Sequence, residues 1–334
     1  MEIDRQKIKK PVKLPKLDER IPRWIEDKLM WRDCPFCGSV GEAEYIRPDN
    51  LYVNLCHHCG TFFVSPSPTM ECLHQFYSNY FSKHVIGVPL NRSAAKYLVS
   101  VDPLEDFRVL EMTSVIEPKG KRVLDVGCGD GNSLIKFKKL GANIEGIDLD
   151  QTAVTFVRDE LAIKNVKNCN FEHFDTETKY DVILMSELIE HPPEPLSILK
   201  KAKKLLAENG ILVIWTPNAS FAHNSNDPII FRVDLEHMQY LTFKTCNFIS
   251  NDLDLEIIHL ESVGFQRDRF DMLKYTRNSS MQFFKNYVQS VKINAMANIR
   301  NLPAIRFLNR MRRSMQKDIR LGQYNLFCIF QNVA

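Results

Sequence analysis

From Lys121 onward, apolar positions along the chain fall into two alternating rhythms. Nearly unbroken runs at 122–126 (Arg-Val-Leu-Asp-Val), 143–148 (Asn-Ile-Glu-Gly-Ile-Asp), 180–185 (Tyr-Asp-Val-Ile-Leu-Met) and 210–215 (Gly-Ile-Leu-Val-Ile-Trp) read as strands. Between them, 134–140, 153–161 and 196–206 carry apolar residues three and four positions apart, the spacing of one helix face. Strands without a polar face need cover on both sides, and interleaved helices supply it. The pattern therefore predicts an α/β fold with a doubly wound, mostly parallel sheet. Past Gly264, 265–274 and 324–331 read as two closing strands, separated by about forty mostly helical residues.

The amino-terminal third is patterned differently. Segments 44–47 and 51–55 read as short strands, 71–81 has helical spacing after the prolines Pro66 and Pro68, and 90–116 is helical again. The expected organisation is a basic extension at 1–30, a small ribbon at 31–66, a helical linker or lid at 67–118, and a sheet domain at 119–334 with a helical insertion at about 278–320.

Composition narrows the class. With 44% hydrophobic and 25% charged residues among 334, the chain has the makings of a packed core, which excludes collagen-like and wholly disordered proteins. No stretch approaches ~18 consecutive apolar residues, and the basic stretch 1–16 lacks the apolar segment of a secretory signal, so the expected location is cytoplasmic. A net charge of +3 is too small to argue for nucleic acid from the total.

Four of the nine cysteines form two Cys-x-x-Cys pairs, Cys34/Cys37 and Cys56/Cys59, 18 residues apart. Each pair is followed by a glycine that lets the chain turn while both thiolates point at one centre. This is the spacing of a four-cysteine zinc site, with His57 or His58 in place of one thiolate, or unpaired buried cysteines, as the alternatives. Four protein ligands leave zinc no open position, so its role is expected to be structural. A ribbon this short needs the metal for stability that burial cannot supply.

The first strand of the sheet runs into Asp125-Val-Gly127-Cys128-Gly129-Asp-Gly131. The spacing is Gly-x-Gly-x-Gly rather than the dinucleotide Gly-x-Gly-x-x-Gly, and the acid two positions before the first glycine favours a cationic ligand over a phosphate. Asp148, ending the second strand, is placed to accept hydrogen bonds from a ribose diol.

These residues resemble the class I S-adenosylmethionine-dependent methyltransferases. The likeness is carried by 123–131 (Val-Leu-Asp-Val-Gly-Cys-Gly-Asp-Gly), 146–150 (Gly-Ile-Asp-Leu-Asp), 180–191 (Tyr-Asp-Val-Ile-Leu-Met-Ser-Glu-Leu-Ile-Glu-His) and 211–218 (Ile-Leu-Val-Ile-Trp-Thr-Pro-Asn). With the ribbon and 63–69 (Phe-Val-Ser-Pro-Ser-Pro-Thr) added, the chain is similar to bacterial methyltransferases that carry an amino-terminal zinc ribbon and modify sugars, surface polysaccharides or related metabolites. The resemblance implies a Rossmann-like sheet and S-adenosylmethionine as donor. It places Gly127, Gly129 and Gly131 under the donor's methionine and ribose, Asp125 near its amino group, Asp148 on the ribose, Leu149 on adenine, and Asp175 or Thr176 at the adenine amine. Cys128 and Ser186 line the same pocket, the cysteine as a small filler.

An acceptor hydroxyl must lose a proton, which calls for a base or a metal near the carboxyl edge of the sheet. Glu187, Glu190 and His191 follow the strand at 180–185, and in a helical turn all three share a face, although Pro192 disfavours helical geometry at His191. The arrangement is similar to that of ubiquinone-pathway O-methyltransferases and small-RNA 2′-O-methyltransferases. That likeness implies a possible second divalent metal at Glu187, Glu190, His191 and His237, or else His191 or His237 as the base. His223 lies in a polar loop and is expected to be solvated. From Ser279 to Arg320 nine basic residues face one acid, with apolar residues interleaved. Such a surface suits an anionic lipid, an acidic substrate or a homodimer.

The expected function is O-methylation of a sugar, glycan or related small metabolite, with histidine-assisted deprotonation. The alternatives are a metal-assisted RNA-ribose 2′-O-methyltransferase and a non-catalytic scaffold that binds the donor or its product. A nucleic-acid partner is disfavoured but open, since no aromatic stacking pattern is visible.

Overall fold

The computed structural model describes residues 11–14, 24, 28–81, 90–220, 230–233, 235–263 and 324–333. The inserted segment, the strand expected at 265–274, His223 and most of the amino-terminal extension lie outside the described residues.

The apolar runs form the centre of a seven-stranded sheet. Its strands are β7 (Arg122–Val126), β8 (Asn143–Asp148), β9 (Val166–Asn168), β10 (Tyr180–Ser186), β11 (Leu206–Pro217), β13 (Glu256–Val263) and β14 (Asn325–Gln331), in the order β13-β14-β11-β10-β7-β8-β9. The pairs from β11 to β9 are parallel. Leu124, Ile183, Leu212, Ile214 and Cys328 are fully buried, as strands covered on both faces require. The covering helices include α4 (Asn132–Lys139), α5 (Gln151–Asp159) and α6 (Pro195–Leu205). Two strands escape the sequence reading. β9 is only three residues long, and β13 mixes polar and apolar residues without a strict alternation and ends just before Gly264, ahead of the expected strand.

Strand order places the site. The chain runs from β7 outward through β8 to β9, then returns to the other side of β7 with β10. The connections leaving β7 and β10 therefore diverge at this point, and the crevice they leave at the carboxyl ends is where α/β sheets bind ligands.

The amino-terminal third builds a second sheet. Its strands are β1 (Val12–Lys13), β3 (Glu42–Ile46), β4 (Tyr52–Leu55) and β5 (Phe62–Val64), joined by β12 (Gln239–Tyr240) from far along the chain. β12 runs antiparallel to β5, pairing Gln239 with Phe63 and Tyr240 with Phe62. A two-stranded ladder, β2 (Leu29–Met30) with β6 (Ser67–Pro68), precedes α1 (Met70–Tyr77), whose first turn is capped by Thr69. The ribbon also meets the helix Phe243–Leu253. The Thr242 hydroxyl donates to Gly60 O at 3.1 Å, and Lys244 Nζ donates to His57 O at 2.6 Å. The ribbon thus shares one compact unit, residues 1–261 and 326–334, with the sheet; the other unit, 262–325, falls almost wholly outside the described residues.

The linker at 67–118 folds as α1, α2 (Arg92–Ser100) and α3 (Phe107–Thr113). Asp106 caps α3 by accepting from the amides of Arg108 and Val109, and its other oxygen takes Asn132 Nδ2 at 3.0 Å and the buried Lys136 ammonium. One carboxylate thereby fastens α3 to the helix that follows the glycine turn.

Candidate active site

The donor side begins at the end of β7. Gly127, Gly129 and Gly131 all have positive φ, at 74°, 52° and 77°. A Cβ on Gly127 would lie 2.9 Å from Leu188, and one on Gly129 3.0 Å from the Phe81 ring. Only glycine gives both this backbone and room for Leu188 and Phe81, which pack directly on the turn that the sequence marks as the donor cradle. Asp148 braces the cradle: Oδ2 accepts from Gly129 N and Oδ1 from Asp150 N, both at 2.8 Å. Asp150 in turn caps α5 and accepts from Phe81 N at 2.8 Å, which brings the end of the α1 segment to the rim.

Asp125 is 3% exposed, and burial, with the nearby Asp148 charge, raises its carboxyl to about 7. Arg108, on α3, opposes that rise and donates to the Ser186 hydroxyl at 3.3 Å. Cys128 is buried with Sγ packed toward Gly146, as a filler would be. Asp175 is exposed beyond the buried Phe174, and Leu149 is half-buried.

The acceptor side lies beyond β10. Glu187 takes a left-handed φ of 52° and donates its amide to Trp215 O, and the chain then turns at 188–191 with His191 N on Leu188 O. The helical turn expected at Glu187–His191 is absent, because left-handed Glu187 and the following prolines break it. Convergence comes from a different source. Ligand atoms of Glu190, His191 and His237 lie within 4.8 Å of one another, His237 arriving on the segment before β12. Glu187 stands outside this group, 4.0 Å from Arg108, and its charge still helps to raise the Glu190 acid.

Each member of the group is held. Glu190 is fully buried and Oε2 accepts from the Thr216 hydroxyl at 2.9 Å. His191 Nδ1 lies 2.6 Å from the Tyr77 hydroxyl, which also donates to Glu236 O at 3.1 Å. The two imidazoles meet edge to face with centroids 4.7 Å apart. Burial sets their charge. Glu190 is pushed well above the usual carboxyl range by desolvation and then by Glu187, while desolvation keeps His191 far below the usual imidazole range. His237 is lowered to about 3 by burial and by Arg47. At neutral pH both imidazoles are uncharged. Two of its atoms, Glu190 Oε1 and His237 Nδ1, are buried with no hydrogen-bond partner among the described residues, although His237 Nε2 stands 4.0 Å from Glu190 Oε1.

In the ribbon, the thiols of Cys34, Cys37, Cys56 and Cys59 converge, with 3.3 Å between Cys34 and Cys59 and 3.4 Å between Cys37 and Cys56. Gly38 and Gly60 close the two turns with φ of 69° and 78°. Four thiol donors around one point fit a closed tetrahedral metal site.

Sequence reasoning does not single out Tyr77, Arg108, Arg32 or Arg47. Tyr77 sits in an aromatic run with Phe76, Tyr80 and Phe81, and Arg47 is followed closely by Asp49. Neither signal names a target, because the groups they meet are more than a hundred residues away.

A doubly wound sheet with a glycine cradle at its switch point and an acid closing the next strand defines a nucleoside-binding α/β domain. Residues 105–260, just under half of the chain, match the model of a methyltransferase domain family. It is 38% identical over 137 residues to a ubiquinone biosynthesis O-methyltransferase of Glaesserella parasuis, an alignment covering 35% of this chain and 58% of the relative. Against the enzyme of that name in Acinetobacter baumannii strain ACICU it is 33% identical over 127 residues, covering 35% and 54%. The chain thus spans about half the length of the curated relatives it matches. Among solved structures, it is similar to a SAM-dependent methyltransferase from Archaeoglobus fulgidus, at 18% identity and TM-score 0.45, covering 72% of this chain and 95% of that one.

Proposed function

We propose that the protein transfers the methyl group of S-adenosylmethionine to a hydroxyl oxygen of a small sugar-like metabolite or glycan unit. The sulfonium of the donor supplies an already activated methyl group. The chain must add alignment, exclusion of water and removal of the acceptor proton. Asp125 and Arg108 suit the ammonium and carboxylate of the donor's methionine end, and Asp148 suits its ribose. The names of the relatives, ubiquinone biosynthesis O-methyltransferases, support oxygen as the methylated atom.

The observation that carries the acceptor half is the pair of partnerless buried atoms, Glu190 Oε1 and His237 Nδ1, beside His191. Buried polar atoms are rarely left without partners, and an acceptor hydroxyl can both donate and accept. His237, with Glu190 against it, is the base assigned to the hydroxyl proton. A second reading rests on the same atoms: a divalent cation held by Glu190, His191 and His237, acting as a Lewis acid on the acceptor oxygen. Zinc in the four-cysteine site is structural in either reading.

The test is calorimetry of the purified chain with S-adenosylmethionine and S-adenosylhomocysteine. Mass analysis of nucleotide sugars, quinol-type phenols and RNA after incubation follows, with metal analysis alongside. A methyl ether on a sugar hydroxyl is expected. Methylation of phenols alone would move the acceptor class, and salt-sensitive RNA binding with ribose methylation would support the RNA alternative. Donor binding without turnover would support a scaffold, and no binding of either nucleoside would end the proposal. His237→Asn is expected to cut turnover by about 10²-fold or more with S-adenosylhomocysteine affinity unchanged.

A further inference from the structure

Two arginines of the ribbon segment, Arg47 buried and Arg32 half-buried, pack against the loops that carry the histidines. Arg47 is 0% exposed. Its Nη1 donates to His237 O at 2.7 Å and to the Tyr240 hydroxyl at 3.1 Å, and its Nη2 donates to Leu235 O at 2.7 Å. Asp49, two residues on, balances the charge through Nε at 3.1 Å and a second contact at Nη2. Arg32 works from the other flank. It donates from Nε to Val64 O at 2.9 Å, from Nη1 to Pro193 O at 2.8 Å, and from Nη2 to Met238 O and to Gln239 Oε1 at 3.1 Å. Gln239 passes the connection on, its Nε2 donating to Ile189 O at 2.7 Å and Pro192 O at 2.6 Å.

The partners share one feature. Most are backbone carbonyls on the two short segments, 189–193 and 235–239, that present Glu190, His191 and His237. An ion pair is an expensive way to fill a buried volume, since an apolar side chain avoids the desolvation cost. A planar guanidinium does what an apolar group cannot: it fixes several carbonyls at once in direction and distance. β12 is only two residues long, too short to set its own approach by ladder bonds alone.

We propose that Arg47 is a positioning residue for His237, gripping the backbone on both sides of Glu236 from within the ribbon, and that Arg32 locks the 189–193 turn to the same strand. The ribbon then acts as a template for the acceptor half of the site and is indifferent to the donor half. This rests on the reading that these histidines serve the acceptor, but it concerns their placement and is tested without any acceptor.

The experiment uses the full chain labelled with 15N-histidine, imidazole signals being assigned from His191→Asn and His237→Asn spectra. Three variants are compared with wild type: Arg47→Lys, Arg32→Lys, and Arg47→Met with Asp49→Asn, which removes the ion pair without stranding a buried charge. Each is also titrated with S-adenosylhomocysteine. The expected result is displaced or broadened His237 signals in both Arg47 variants and displaced His191 signals in Arg32→Lys. The remaining histidines should stay in place, and S-adenosylhomocysteine affinity should stay within about two-fold, as for sites that share no partner. Unmoved His191 and His237 signals in the folded lysine variants would overturn the proposal. So would signals displaced throughout the chain together with lost nucleoside binding, which is the mark of a general packing role. A wild-type chain that fails to bind S-adenosylhomocysteine would sink the methyl-transfer reading, while the histidine spectra would still judge the clamp.

Discussion

Asp125 shows how one side chain ties stability to donor binding. Its carboxyl is raised to about 7 by burial and by Asp148, so between pH 4 and 7 the folded chain holds a proton that the unfolded chain has released. Stability from this residue is therefore full below pH 4 and is lost as pH rises through about 7. Asp125→Asn should remove that decline and gain on wild type by up to about 4 kcal/mol at pH 8, read from urea unfolding across the pH range. The same change should weaken S-adenosylmethionine binding most at high pH, where the wild-type carboxylate is charged. A parallel pH dependence in both proteins would contradict this. Gly131 is a simpler case. Its φ is 77°, and a Cβ there would lie 2.8 Å from Val157 and 2.9 Å from Leu161. Gly131→Ala should cost at least about 1–2 kcal/mol from the left-handed backbone alone, measured as a lower urea midpoint.

At the scale of elements, Asp106 joins α3 to α4. It caps the first and takes the buried Lys136 ammonium of the second. Burial acts to raise this carboxyl, but the hydrogen bonds from Lys136 and Asn132 outweigh it and hold it below its ordinary value. Asp106→Ala strands a buried ammonium and should destabilise the chain by about 3–5 kcal/mol. S-adenosylhomocysteine affinity should fall as well, because Arg108 lies in the first turn of the helix that loses its cap. Full stability in urea would show that the pair contributes little. The helices and central strands were legible from periodicity, since burial on two faces leaves an apolar run that nothing else explains. β9 and β12 were not, because two or three residues carry no period and their strand geometry is imposed by the neighbours they join.

At the scale of the molecule, the ribbon shares its sheet with β12 and its knuckle with the helix Phe243–Leu253. With cobalt in the four-cysteine site, loss of thiolate absorbance on heating should coincide with loss of far-UV circular dichroism from the rest of the compact unit. A separate, earlier ribbon transition would show that the two sheets are not cooperative. The amino-acid sequence alone determined the parallel sheet, the glycine cradle with Asp125 and Asp148, and the four-thiol site. Each of these is written in short stretches, the apolar runs, the glycine turn with the strand end at 148, and the two Cys-x-x-Cys pairs, whose local spacing carries the signal. Only the tertiary structure decided that Glu190, His191 and His237 meet, that Tyr77 holds one imidazole, and that Arg32 and Arg47 reach across from the ribbon. Those contacts join residues from some dozens to about two hundred positions apart, and no local pattern encodes such a meeting. It follows from how two sheets bury their apolar faces, and the polar groups then find partners among whatever that burial brings together.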